Sequence, residues 1–140
     1  MRCLITTDQR SSGWLVWLWA GFIFFCSTDL ASSWADAAFQ FFVAPGGPPN
    51  ALLKLLAQKS FHVFLFSILG LLAALPFPGR SPLVSIAICI GIGVASELFQ
   101  GVWPSRHPST LDTVLNVLSG LAAFAVIFRW LSRRPVTAGD

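Results

Sequence analysis

At 140 residues, with 55% of the chain apolar and only 11% charged, the sequence lacks the polar surface that a water-exposed globule needs, since soluble chains carry about a quarter charged residues. A mean hydropathy of +0.72 points to lipid as the solvent. The net charge of +3, nine Lys/Arg against six Asp/Glu, sits in clusters between apolar runs, which excludes a nucleic-acid module, as composition excludes disorder and a disulfide scaffold.

Four apolar runs are tested against the roughly 20 residues that a helix needs to cross about 30 Å of hydrocarbon. The first, residues 13–30, opens with Trp14, Trp17 and Trp19, suited to an interface, and ends at Asp29. Residues 31–58 form the one long connection. It carries an aromatic patch, Phe39, Phe41 and Phe42, expected at the outer membrane surface, and then a breaker cluster, Pro45-Gly46-Gly47-Pro48-Pro49. Asn50 suits the N-cap of a helix that runs unbroken into the second apolar run, residues 60–77, which stops at Pro76 and Pro78. The third starts at Pro82, a good first helical residue, and stops at Pro104. The fourth, residues 111–131, closes with Arg129, Trp130 and the Arg133-Arg134 pair.

The expected architecture is all-α, a polytopic membrane helical bundle with four transmembrane helices and both termini cytoplasmic. Residues 1–58 hold the first span and an outer amphipathic, aromatic loop, 59–131 a core of three spans, and 132–140 a short cytoplasmic tail. The orientation puts Arg2, Arg10, Arg80, Arg129, Arg133 and Arg134 inside and leaves Lys54, Lys59 and Arg106 outside. A competing reading takes the first run as a signal peptide cleaved at Ala35-Asp36-Ala37, leaving three spans. Cys3, Cys26 and Cys89 have no CxxC spacing, so no metal or disulfide framework follows, and no cofactor is expected. Gly91, Gly93 and Ala95 imitate a dinucleotide fingerprint but lie inside an apolar run with no preceding strand, where they serve close helix contact.

A charge at the centre of a membrane helix costs roughly 2.5–3.5 kcal/mol, so the placement of polar residues is informative. Lys54, Gln58 and His62 recur at i, i+4 and i+8, with Lys59 three before His62. Glu97 and Gln100 are i, i+3 neighbours, and Asp112 and Asn116 are i, i+4 neighbours with Gly120 one turn on. Alternating spans bring all of these to the outer end, beneath a tight turn that sets Arg106 over them. Glu97 should pair with Lys59, His62 or Arg106, or carry a proton. Each group has a chemical and a structural reading. Glu97 and His62 make either a general acid/base pair or a packing ion pair, and Arg106 over Asp112 either grips an anion or anchors a turn. Asn116 and Gln100 suit interhelical hydrogen bonds, and His107 an exposed loop.

The ordered set Lys59-x-x-His62, Glu97-Leu98-Phe99-Gln100, and Arg106 followed by Asp112 and Asn116 resembles the VanZ-like family of small bacterial membrane proteins, over residues 59–128. Gln58 stands where that family usually has an acidic residue, and Ser119, with Gly120 next, where it usually has glycine. The resemblance implies a multi-pass helical protein of the bacterial cytoplasmic (inner) membrane, in a family linked to resistance to the glycopeptide teicoplanin. Two functions fit. In one, an outward-facing pocket acts on or binds an anionic envelope lipid or cell-wall precursor: Lys59, Gln100, Arg106 and Asn116 bind it, and His62, Glu97 and Asp112 are catalytic. In the other, a non-enzymatic accessory protein uses the polar cluster only to fix helix packing. Membrane lipids are the expected surroundings, and nucleic acid is not a partner. Transport is a weaker third reading, because the inner halves of the spans carry no polar relay.

Overall fold

A computed structural model describes residues 13–42, 50–75, 81–104 and 106–133. They form five helices and no strand: α1 (Gly13–Cys26), α2 (Asp29–Phe42), α3 (Ala51–Ala74), α4 (Pro82–Gln100) and α5 (Thr110–Ser132). The Pro45–Pro49 breaker cluster, Pro76 and Pro78, Ser105, the basic residues Arg2, Arg10, Arg80 and Arg134, and the tail from residue 134 lie outside the described residues.

Three helices begin where their capping residues direct. The Asn50 side chain accepts from Leu52 N at 3.0 Å and Leu53 N at 3.5 Å, and α3 then continues for 24 residues across the whole polar stripe. Ser81 caps α4, with Pro82 at the first turn, where a missing N–H costs nothing. Ser109 caps α5 by accepting from Asp112 N at 3.4 Å.

The first apolar run differs from expectation. It ends at Cys26, and residues 29–42, expected as the end of that run (29–30) and the start of the connection (31–42), are a helix set at 73° to α1. Hydroxyl chemistry at the junction accounts for the break. Ser27 Oγ donates to Ile23 O and Thr28 Oγ1 to Phe25 O, occupying carbonyls at the end of α1, while Thr28 Oγ1 also accepts from Ala31 N to start α2. The Ala35-Asp36-Ala37 segment falls inside α2.

The α3–α5 pair is the centre of the bundle, brought together where Gly70 meets the backbone of Gly120. On α1, Val16, Ala20 and Ile23 share one face and pack on Leu65, Phe66 and Leu69 of α3 and Ile92 of α4. Trp19 Nε1 donates to Leu65 O at 2.9 Å, in the same interface. A second apolar cluster, Ala73, Ala74, Cys89 and Phe124, fills the opposite end. Of the α4 glycines, Gly93 abuts Val117 and serves the close contact expected of it, whereas Gly91 faces open space. Apolar side chains also cover the outside of the bundle, among them Phe64, Leu83, Leu98, Leu118 and Val126. By length and composition α3, α4 and α5 can each cross a membrane; α1 and α2 pass the same test only together, as a broken span.

Candidate functional site

The C-terminal ends of α1 and α4 and the N-terminal ends of α3 and α5 meet at one end of the bundle, and there the polar residues collect. Glu97, Gln100, Asp112 and Asn116 are all buried. Glu97 Oε1 accepts from Asn116 Nδ2 at 3.1 Å and from Gln100 Nε2 at 3.5 Å, and its Oε2 accepts from the backbone N–H of Ser109 at 3.2 Å. The carboxylate thus ties the end of α4 to the cap of α5 through uncharged donors. It takes none of Lys59, His62 or Arg106, the cations expected as one alternative, because neutral donors from α4 and α5 surround it.

Asn116 passes this constraint on. Its Oδ1 lies 2.9 Å from His62 Nδ1. The hydrogen assignment follows from the network: an amide that donates to Glu97 turns its carbonyl oxygen to His62, so Nδ1 carries the hydrogen and donates. In the neutral imidazole the Nε2 lone pair is then free to accept a proton or a hydrogen bond.

Two ion pairs flank the chain of bonds. Lys59 Nζ pairs with Asp112 Oδ1, linking α3 to α5, and Lys54 Nζ pairs with Asp36 Oδ1 at 2.9 Å, linking α3 to α2. Arg106 does not sit on Asp112 as the sequence suggested, since Lys59 takes that carboxylate. Its Nη2 instead donates to Cys26 O at 3.4 Å and Thr28 O at 3.5 Å, at the end of α1, and its Nε is buried without a partner among the described residues.

These groups surround a cavity of about 520 Å³ between α1, α2, α3, the end of α4 and the start of α5. Of the residues singled out in the sequence, His62, Gln100, Arg106 and Asp112 line it, as does Phe39 of the aromatic patch. Lys59, Glu97 and Asn116 do not; they stand behind His62 and Asp112 and hold them. Lys54 and Gln58 line it as well, so the i, i+4, i+8 stripe that placed His62 was a signal for them too. Ser96, beside Glu97, and Ser32 and Asp36 on α2 were missed as wall residues. The signal for the α2 pair was their own i, i+4 spacing. His107, expected as an exposed loop residue, is exposed and also borders the cavity. Ile23, Leu65 and Phe66 make its wall apolar on the bundle side.

The charges are unevenly matched. Asp36 and Asp112 are each paired with a lysine, whereas Arg106, among the described residues, touches only neutral carbonyls. No cluster of three or more His, Cys, Asp or Glu that could hold a metal ion occurs among the described residues. Fold and site together define an all-helical protein, compatible with a multi-pass membrane protein, with a part-polar, part-apolar cavity at one end of its bundle. No family model, curated protein or solved structure matches the chain.

Proposed function

We propose that the protein is a VanZ-like, four-span protein of the bacterial cytoplasmic membrane, both termini cytoplasmic, whose outward-facing cavity binds the headgroup of an anionic envelope lipid or cell-wall precursor. The observation that carries this reading is Arg106, a cavity cation without a carboxylate partner among the described residues, in a cavity that His62 also lines and whose other wall is apolar. A phosphate or carboxylate would replace two long carbonyl contacts of Arg106 with charge-assisted hydrogen bonds, and its chain would lie along Ile23, Leu65 and Phe66. Gln100 adds neutral donors to the headgroup side. His62 is the group that exchanges a proton with the ligand, through Nε2. Glu97 acts through Asn116 as a positioning residue, and Asp112 holds Lys59.

With only two histidines in the chain, a His107→Asn variant leaves His62 as a single imidazole reporter. Titrating that variant in detergent with a short-chain phosphatidylglycerol is expected to shift the His62 Nε2 nitrogen resonance, and Arg106→Gln to abolish the shift. An imidazole signal that ignores saturating lipid would refute the reading.

A second reading, the accessory protein whose polar cluster only fixes packing, draws support from Glu97, which three neutral donors hold outside the cavity. On that reading His62→Ala and Glu97→Gln lose folding and function in equal measure. On the first, His62→Ala loses function while thermal stability falls little.

A further inference from the structure

We propose that α2 is an interfacial helix, lying on the outer leaflet with one edge among the lipid chains and one in water, so that the cavity opens sideways at headgroup depth. This rests on the outward-facing placement proposed above, makes α1 alone the first membrane segment in place of a broken α1–α2 span, and is independent of what the cavity binds.

The sequence of α2 divides into three faces at about 100° per residue. Leu30, Trp34 and Phe41 fall within about 40° of one another, and Ser33 and Gln40 lie roughly 100° to one side of them. The remaining face, with Ser32, Asp36 and Phe39, lines the cavity. A helix packed on a soluble core needs one apolar face. Here the face toward the cavity carries Ser32 and Asp36 beside Phe39, while the apolar face stays open, with Trp34 62% and Phe41 74% exposed.

The open apolar face has a defined occupant because it continues the outer surface of α1. Trp14, Leu18, Phe22 and Phe25 of α1 are exposed on the side opposite Val16, Ala20 and Ile23. Phe25 meets Trp34 edge to face, ring centroids 6.2 Å apart, so the apolar surface turns the corner into α2 without a gap. Whatever covers α1 therefore also covers α2, and for an apolar bundle that cover is lipid. The 73° bend turns α2 most of the way from the α1 axis toward the membrane plane. Asp36 meets Lys54, eight residues before His62 on α3, which sets α2 about 12 Å further out than the imidazole. Many interfacial helices add basic residues that attract anionic lipid, but α2 carries Asp29 and Asp36 and no Lys or Arg. Its seat depends on apolar burial and its tethers, so lipid charge should not matter.

The test uses nitroxide labels at Leu30→Cys, Ser33→Cys, Trp34→Cys, Ala35→Cys, Gln40→Cys and Phe41→Cys, one at a time, in the full chain with Cys3→Ser, Cys26→Ala and Cys89→Ala. The protein is placed in vesicles of phosphatidylethanolamine with phosphatidylglycerol, and separately of phosphatidylcholine alone. Collisions with oxygen are expected to peak at 30, 34 and 41, collisions with a water-soluble nickel chelate at 33 and 40, and both to be low at 35, identically in both lipids. Nickel access at all six positions would mean that α2 stands off the membrane, and oxygen access at all six that it is sunk in hydrocarbon; either overturns the proposal. If the cysteine-free background does not fold, the native chain is compared with Trp34→Phe in lipids brominated at different depths. The fluorescence lost on substitution should be quenched most by bromine nearest the glycerol backbone, and strongest quenching at the chain ends overturns the proposal.

Discussion

Asn116 donates to Glu97 Oε1 at 3.1 Å, so the acid of α4 is held by an uncharged neighbour on α5 and not by a cation. Asn116 is fully buried, and the same amide orients His62. Asn116→Ala would leave a buried carboxylate short of a donor and an imidazole N–H without an acceptor. Stranding such groups costs about 3 kcal/mol. Thermal unfolding in detergent should show that loss, and Glu97→Gln combined with Asn116→Ala should fall short of the sum of the two single losses by about 1 kcal/mol. Strictly additive losses would mean that the contact carries no energy of its own.

The two lysine–aspartate pairs are expected to behave differently because their solvation differs. The Lys59 and Asp112 side chains are 24% and 11% exposed, those of Lys54 and Asp36 45% and 55%. Lys59→Met abandons a nearly buried carboxylate and should destabilise by about 2 kcal/mol, with Asp112→Asn in the same chain restoring part of it. Lys54→Met should change stability by less than about 1 kcal/mol, since exposed pairs contribute little. Denaturation of the three variants side by side checks the order, and equal losses at both lysines would contradict it.

What the sequence made legible was governed by local rules. Asn50, Pro82 and the i, i+4, i+8 run each depend on neighbours within one helix, and the helix starts and the cavity-facing stripe follow from them. Partners across helices were not legible. Spacing put Glu97, Asn116, Asp112 and Arg106 at one end but could not say that Lys59 would reach Asp112 first. Nor could it say that Arg106 would reach back 80 residues to the carbonyl of Cys26. The second helix was hidden because Asp29, Ser32, Ser33, Asp36 and Gln40 interrupt the apolar run and make the stretch read as a connection. Its start signal, Thr28 before Asp29, lay inside what looked like the end of the preceding apolar run.

The crossing of α3 and α5 makes an asymmetric prediction for two glycines in contact. A Cβ on Gly70 would run into the carbonyl group of Gly120, which is backbone and cannot turn aside, so Gly70→Ala must push the helices apart. A Cβ on Gly120 meets Phe66 O at 3.4 Å and Cys89 Cβ at 3.6 Å, which is tolerable contact. Overpacking typically costs about 1–3 kcal/mol, and Gly70→Ala should lie at or above the top of that range. Gly120→Ala should cost less than about 1 kcal/mol, and Gly91→Ala, facing open space, should be neutral or slightly stabilising through helix propensity. Melting temperatures of the three purified variants give the ranking, and a mild Gly70→Ala would show that the crossing has slack.

Arg106 should control the angle between α1 and α2 more than it controls stability. Its guanidinium donates to carbonyls on both sides of the break, Cys26 at the end of α1 and Thr28 at the start of α2, and a cation there also complements the negative end of the α1 dipole. Ser27 and Thr28 end α1 on their own through their hydroxyl groups, so removing Arg106 does not rebuild one continuous helix. It releases the clamp that fixes the direction of α2, leaving the exposed Lys54–Asp36 pair as the described polar tether across the cavity. Arg106→Gln should therefore lower stability by only about 1 kcal/mol. The distance distribution between nitroxides at Ser33→Cys on α2 and Leu56→Cys on α3, both exposed positions, should broaden clearly. Arg106→Lys keeps the charge but offers a compact ammonium in place of a planar fork, so its distribution should fall between the two. Pulsed electron paramagnetic resonance on the three chains decides the point: an unchanged, narrow distribution in Arg106→Gln would assign the bend to the hydroxyl bonds of Ser27 and Thr28 alone.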